Sequence, residues 1–147
     1  MTRRDMIKLS SIVALSSVTA SAYDEKLVVN KIEMKPKDPK NLTKGEQKHT
    51  PQISVGEKDK AGYTLVEVTV GQGDIIHPST DEHWIYEISL LADGKTIDTV
   101  KLEPTISRGY LGTRVKLDGV KELSAIAKCN LHGTWTSSHA LKIEAKK

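Results

Sequence analysis

The 147-residue sequence contains one cysteine, Cys129, and no phenylalanine. A single cysteine excludes any disulfide bond within the chain. Because only 4% of the residues are aromatic, the core has to be built from valine, isoleucine and leucine. Beyond residue 22 no stretch has the period of an amphipathic helix, and no internal repeat or second-domain boundary is evident. These absences predict one small β-rich domain.

The first 22 residues have the pattern of an export signal. Arg3-Arg4 matches the twin-arginine motif, an apolar run extends from Leu9 to Ala20, and Ala20-Ser21-Ala22 offers a cleavage site. The run is too short and too rich in serine to span a bilayer. The sequence therefore predicts a twin-arginine-type signal peptide at residues 1–22 and an exported, periplasmic domain at residues 23–147 that has no membrane anchor after cleavage.

The charge pattern predicts no nucleic-acid partner. Loss of the signal peptide removes three basic residues and one acidic residue, which lowers the net charge from +3 to +1. The remaining lysines are scattered and form no basic stripe. The lone cysteine is informative as well, since exported proteins normally use cysteines in disulfides. Metal ligation explains an unpaired cysteine in that compartment.

Short strands separated by turn residues predict an all-β fold, an immunoglobulin-like β-sandwich of about seven strands. Alternation of apolar and polar residues is strong in Tyr63–Val70 and in His83–Leu91. The Asp93-Gly94 turn predicts a hairpin between His83–Leu91 and Thr96–Leu102. The other expected strands are Leu27–Val29, Gln52–Val55, Tyr110–Leu117, Leu123–Ala127 and Ala140–Ala145.

The segment Cys129-Asn130-Leu131-His132-Gly133-Thr134-Trp135 is the strongest candidate for a functional site. Its thiolate and its imidazole are three residues apart, and the following glycine permits a sharp turn, so both groups can point at one metal ion. Two ligands do not complete a site. The remaining candidates are histidines in loops upstream, namely His49, His77 and His83. His139 lies next to the last expected strand and is expected at the surface.

Four imidazoles and one thiolate favour iron, copper or zinc over hard ions such as magnesium or calcium. An arrangement with four nitrogens in a plane and sulfur on the axis would leave the sixth octahedral position open. A small molecule could react there if the metal is redox-active.

Other classes of protein also pair a cysteine with histidines. An exported blue-copper-like electron carrier would use two histidines, one cysteine and a weak axial methionine, but Met34, the only methionine after residue 22, lies far upstream. A closed tetrahedral zinc site in a metal-binding β-sandwich needs no fifth ligand. A nucleophilic cysteine activated by His132 would need an oxyanion element that no motif supplies. A plain binding module leaves Cys129 unexplained.

The combined motifs resemble the iron-binding domain of the superoxide reductases, also called neelaredoxins and desulfoferrodoxins. The matching residues are His49, His77-Pro78 followed by His83-Trp84-Ile85, and Cys129-Asn130-x-His132-Gly133-x-Trp135. The resemblance implies an immunoglobulin-like sandwich with one non-haem iron ion (Fe²⁺/Fe³⁺) per chain. It implies that the iron is held by His49, His77, His83 and His132 in a plane and by Cys129 on the axis. The implied reaction is the one-electron reduction of superoxide to hydrogen peroxide, a defence against oxidative stress.

The resemblance also implies roles for the residues before His49. In the family this loop reads Glu-Lys-His, where the lysine attracts the anion and the glutamate caps the oxidised iron. Lys48 matches that lysine and is the expected catalytic residue. Gln47 stands at the position of the glutamate, and Glu46 comes one residue too early. Both are therefore candidate neighbours of the sixth position, and the identity of the cap is left open.

The resemblance implies partners besides superoxide. With no four-cysteine module in the sequence, the chain resembles the one-iron members of the family, which are commonly homo-oligomers. The reaction also requires an external one-electron donor, either cytochrome-like or rubredoxin-like, since no second redox centre is evident in the sequence.

Overall fold

The computed structural model describes residues 23–142, so the expected signal peptide lies outside the described residues. Within this range the chain forms eight strands, a 3₁₀ helix at Glu25–Leu27 and one α-helix, α1. The elements are β1 (Glu33–Met34), α1 (Lys44–His49), β2 (Pro51–Lys58), β3 (Thr64–Val70), β4 (Ile85–Ala92), β5 (Lys95–Lys101), β6 (Tyr110–Val115), β7 (Glu122–Cys129) and β8 (Gly133–Ala140). The predicted all-β fold is confirmed.

The strands are arranged in two sheets, with the orders β1-β8-β7-β4-β5 and β2-β3-β6. Apart from the parallel pair β1 and β8, all the paired strands are antiparallel. No helix among residues 23–142 is long and apolar enough to cross a membrane.

The core lies between the two sheets and is made of small and branched aliphatic side chains. In β3, Val66, Val68 and Val70 are buried at alternate positions. In β7, the inward-facing row is Leu123, Ala125, Ala127 and Cys129. Side chains on alternate positions of a strand share a face, so the same alternation that builds the core directs the thiol of Cys129 into the interior.

The predicted hairpin is confirmed, because β4 and β5 pair on either side of Asp93-Gly94. Both turn residues have positive φ, at 46° and 81°, as a type I′ turn requires. The turn at Asp118-Gly119 has a different role. It connects β6, which pairs with β3, to β7, which pairs with β4 and β8, so it carries the chain from one sheet to the other.

One expected strand is wrong, and another has different bounds. Leu27–Val29 is no strand, since Leu27 ends the 3₁₀ helix. The last strand among residues 23–142 is β8, which begins directly after His132 and ends at Ala140. The sequence predicted a last strand at Ala140–Ala145, of which residues 143–145 lie outside the described residues. Periodicity could not reveal β8 because few of its side chains are buried. Its backbone pairs with β7 along its whole length, from Cys129↔Gly133 to Glu122↔Ala140.

Candidate metal centre

Strand pairing brings Cys129, His132 and His83 to one end of the five-stranded sheet. Cys129 ends β7, and β8 begins at Gly133, so His132 lies in the tight turn between them. Ile85 at the start of β4 is paired with Cys129. His83 lies two residues before Ile85, so the register of β4 against β7 places it at the same end of the sheet.

His49 reaches the same place from α1, a helix that the sequence analysis did not predict. Thr43 caps the helix in a reciprocal arrangement: the Glu46 N–H donates to Thr43 Oγ1 at 3.2 Å, and the Thr43 N–H donates to the Glu46 carboxylate at 2.8 Å. The Thr-x-x-Glu pattern is the available sequence signal for this capping box. His49 is the last helical residue and is 5% exposed.

His77 lies in the middle of the loop between β3 and β4 and is 2% exposed. The loop folds back tightly at Gly71, where φ is +103° and a Cβ atom would lie 2.4 Å from the carbonyl oxygen of Ile75. Nδ1 of His77 lies 2.8 Å from the carbonyl oxygen of Pro78. Its Nε2 is buried without a hydrogen-bond partner among the described residues.

The four imidazole rings follow one another around a common point. Their centroids are 5.0 Å apart for His49 and His77, 4.7 Å for His77 and His83, 4.8 Å for His83 and His132, and 4.8 Å for His132 and His49. The centroids of His49 and His83 are farther apart, at 6.1 Å. The structure thus brings together all five residues that the resemblance named as ligands, with Sγ of Cys129 3.7 Å from Nδ1 of His132.

The ring nitrogens that face this point can be identified from their contacts. Nε2 of His49 and Nε2 of His83 each lie 3.1 Å from Nδ1 of His132. Nδ1 of His49 lies 2.7 Å from the carbonyl oxygen of Gly45, as Nδ1 of His77 does from that of Pro78. A carbonyl accepts a hydrogen bond from N–H, so Nε2 of both rings carries the lone pair that a metal would bind.

The donor set fits a metal ion. One ligand atom each from His49, His83, Cys129 and His132 lies within 4.8 Å of the other three. His77 adjoins this group with an unpartnered nitrogen, and buried polar atoms without partners are rare because they lose their hydration. An ion bound among these atoms would satisfy that nitrogen. Imidazole and thiolate together suit iron, copper or zinc.

The electrostatic environment keeps the imidazoles of His49, His77 and His83 neutral near pH 7, because it lowers the pKa of each. Burial, together with the neighbouring imidazoles, lowers the pKa of His77 to about 3 and that of His83 to about 4. Burial also lowers the pKa of His49. Burial raises the pKa of the Cys129 thiol, while the backbone N–H groups of Leu131 and His132 and the charge of Lys48 act in the opposite direction.

Glu46 and Gln47 are the two candidate neighbours of the sixth position, and the structure gives them surroundings that the sequence analysis did not expect. An open cavity of about 350 Å³ lies over His49 and His132 and is lined also by Met34, Glu46 and Trp135, among others. The Glu46 carboxylate lines this cavity but already accepts the N–H groups of Thr43 and, at 3.1 Å, of Lys37. These contacts lower the pKa of Glu46. No side-chain hydrogen bond of Gln47 is found among residues 23–142.

Sequence reasoning missed a further contact of the cluster. Trp135 is stacked on His49, with centroids 5.4 Å apart and an interplanar angle of 20°, and its Nε1–H donates to the carbonyl oxygen of His132 at 2.9 Å. One indole therefore supports two of the histidines. Met34, which lies far from Cys129 in the sequence, is also near the cluster because β1 pairs Met34 with Trp135. His139 is exposed in β8, as expected.

Comparison with known proteins gives consistent matches. The family described as Desulfoferrodoxin matches residues 41–138. A Thermotoga maritima relative, provisionally named a superoxide reductase, is 31% identical over 122 residues, covering 67% of this chain and 88% of the relative. A variant of the Ignicoccus hospitalis superoxide reductase (neelaredoxin) has a TM-score of 0.60 at 30% identity, covering 76% of this chain and 94% of that chain. The Giardia intestinalis one-iron superoxide reductase has a TM-score of 0.55 at 26% identity, with coverages of 65% and 99%.

The cap on α1 provides a test of how the helix supports the cluster. Thr43→Ala removes the acceptor for the Glu46 N–H and should lower the free energy of unfolding by about 1 kcal/mol, the usual cost of an N-cap hydroxyl. It should also weaken metal binding, since His49 is carried by this helix. Thermal unfolding and metal titration measure the two effects. Thr43→Ser keeps the hydroxyl and serves as the control, and equal metal affinity in all three proteins would contradict a supporting role.

Proposed function

The chain belongs to the desulfoferrodoxin family of superoxide reductases, and we propose that it reduces superoxide to hydrogen peroxide at a single iron ion. The observation that carries this proposal is the set of five donor atoms gathered at one end of the sandwich, of which four lie within 4.8 Å of one another and the fifth, on His77, adjoins them. They are Nε2 of His49, His77 and His83, Nδ1 of His132 and Sγ of Cys129. When bound there, ferrous iron would supply the one electron that superoxide needs, with two protons completing hydrogen peroxide.

Cys129 would bind as the thiolate. Its side chain is fully buried, so loss of its proton is costly without a positive partner. A metal cation is such a partner, and two backbone N–H groups in the following turn act on the same sulfur. The side chain is held at the end of the inward-facing row of β7. The thiolate would therefore stay fixed while anions exchange at the open side.

Lys48 is proposed to attract superoxide. Its positive charge contributes to lowering the pKa of His49, His77, His83 and Cys129, which supports an effect of its field on these four side chains. An anion that approaches the cluster is attracted by the same field.

Glu46 is proposed to cap the helix and not the oxidised iron. Each of its carboxylate oxygens accepts a backbone N–H, and movement toward the cluster would break the capping box of α1. Gln47 is a neutral residue in place of the family's glutamate. The sixth position is therefore proposed to exchange water or small anions in the oxidised state. This proposal rests on the hydrogen bonds of Glu46.

The external electron donor is proposed to approach His132. His132 is exposed and His83 is partly exposed, whereas His49, His77 and Cys129 are buried, so the imidazole of His132 is the most accessible of the ligand candidates. A cytochrome-like or rubredoxin-like partner docked over this ring would lie next to the iron. The donor and the oligomeric state proposed from the resemblance can be examined by cross-linking and light scattering.

A copper centre is the second candidate function. It is favoured by one observation, the position of Met34 beside the cavity over His49 and His132, since a weakly bound methionine is typical of blue-copper sites. Against it stands the number of imidazoles, because such a site uses two histidines and this cluster has four.

Element analysis tests the proposed function. The purified protein should contain about one iron per chain, because all five donors converge on one point. Cys129→Ser should abolish thiolate-to-iron absorption, while His139→Ala, which changes an exposed histidine of β8, should leave iron content and absorption unchanged. Copper or zinc in place of iron, with no iron taken up by the metal-free protein, would refute the proposal.

The role of Lys48 is tested by kinetics. Lys48→Ala should slow the second-order reaction with superoxide on the order of tenfold and flatten its dependence on salt, since the attracting charge is lost. Lys48→Arg should preserve most of the rate. Lys44→Ala removes a lysine from the other end of α1 and is the matched control. A rate and a salt response that do not change in Lys48→Ala would remove this residue from the mechanism.

The proposed export is tested by the mass of the mature protein. The periplasmic protein should begin at Tyr23, after cleavage behind Ala22, and replacement of Arg3 and Arg4 by lysine should retain the chain in the cytoplasm. A full-length chain in the periplasm, or export that is indifferent to the two arginines, would contradict the expected twin-arginine signal.

A further inference from the structure

Asn130 is fully buried inside the sequence Cys129-Asn130-Leu131-His132, yet it is not among the candidate ligands. A buried side-chain amide needs two acceptors and a donor to compensate for lost hydration. The groups that satisfy Asn130 are all backbone groups of other segments. Although Asn130 lies between two ligand candidates in the sequence, its side chain therefore holds other segments of the backbone together.

The amide of Asn130 holds the backbone on both sides of His83. Its Nδ2 donates to the carbonyl oxygen of Glu82 at 2.8 Å, and its Oδ1 accepts the N–H of Trp84 at 3.0 Å. A third bond runs from the Asn130 backbone N–H to the carbonyl oxygen of Trp84 at 3.2 Å. His83 lies in the middle of this clamp, so its position relative to Cys129 is set by Asn130.

The same residue also binds the segment that precedes β1. Nδ2 donates a second hydrogen bond to the carbonyl oxygen of Leu27 at 3.1 Å. The carbonyl oxygen of Asn130 accepts the N–H groups of Val29 and Asn30 at 3.0 and 3.3 Å. These bonds prevent the turn that carries His132 from moving independently of the rest of the sandwich.

No other residue type of this size can make the three side-chain bonds. Aspartate has no donors and would place its oxygens against two carbonyl oxygens. Leucine has the same branched arrangement of non-hydrogen atoms but leaves the Trp84 N–H and both carbonyls unsatisfied in a buried region.

We propose that Asn130 is a positioning residue of the metal centre, which holds His83 in place relative to Cys129 and His132 so that their donor atoms converge on one ion. The proposal rests on the proposed function only in assuming that a metal binds at this cluster. It predicts that the amide contributes to metal affinity beyond its contribution to folding, as groups that orient ligands generally do.

The test uses Co²⁺ as a probe, added to the metal-free protein. Asn130→Ala should weaken Co²⁺ binding about tenfold or more and should shift or weaken the thiolate-to-cobalt absorption. Ser89→Ala is the matched control. It removes a buried side-chain hydrogen bond in β4, to Thr99 Oγ1 at 2.9 Å, on a different part of the strand that His83 precedes. This control should lose stability but keep the affinity and the spectrum of the wild type.

Equal Co²⁺ affinity and equal spectra in Asn130→Ala and the wild type would overturn the proposal, whatever the loss of stability. A wild-type protein that binds no Co²⁺ and no iron would refute the proposed function instead, so the two failures are distinguishable.

A measurement on the wild type covers the case in which Asn130→Ala does not fold. Hydrogen exchange of the Trp84 amide, which donates to Asn130, should slow more on addition of Co²⁺ than that of the Asp93 amide, which donates to the carbonyl oxygen of Glu122 at the other end of β4. The two effects are reciprocal. If the hydrogen bonds of Asn130 favour metal binding, the bound metal must in turn favour those hydrogen bonds. Equal slowing of the two amides would contradict the proposal.

Discussion

The pairing register between β4 and β7 is the constraint on which the metal centre depends. Because Ile85 is paired with Cys129, the loop that carries His83 ends beside the turn that carries His132. A shift of one residue would exchange the two faces of a strand. Cys129 would then leave the core. The burial of Val66, Val68 and the other inward-facing side chains disfavours such a shift. The hydrophobic core and the site are therefore positioned by the same alternation.

Metal binding and folding are coupled by the burial of this cluster. The sandwich excludes water from His49, His77 and Cys129, and it leaves Nε2 of His77 without a partner among residues 23–142. An unpartnered buried nitrogen is unfavourable, so the folded chain favours an ion that binds it. The same burial keeps the imidazoles of His49 and His77 neutral, which is the form that binds a metal ion. The positive charge of Lys48 then acts on the substrate from the partly exposed side of α1.

Local sequence pattern was a good guide to some elements and a poor guide to others. β3 and β4 were predicted because apolar and polar residues alternate in their sequences. In the structure β3 alternates between buried and partly buried positions, whereas β4 is buried on both faces along most of its length. The β4–β5 hairpin was predicted because Asp93-Gly94 suits a type I′ turn. β8 was misplaced because its pairing is made by the backbone while most of its side chains are partly or fully exposed. Helix α1 is six residues long, too short for a helical period, although the capping box of Thr43 was readable.

The sequence by itself determined the kinds of donor, the spacing of Cys129 and His132, and the all-β class, because each of these depends on residues close together in the chain. Only the tertiary structure decided which nitrogen of each imidazole faces the centre, that Glu46 caps a helix, and that Asn130 binds the backbone around His83. Those features depend on contacts between distant segments, such as His49 and His132, which are separated by 83 positions. Local spacing carries no information about such contacts. They follow from the sheet pairing that brings the segments together.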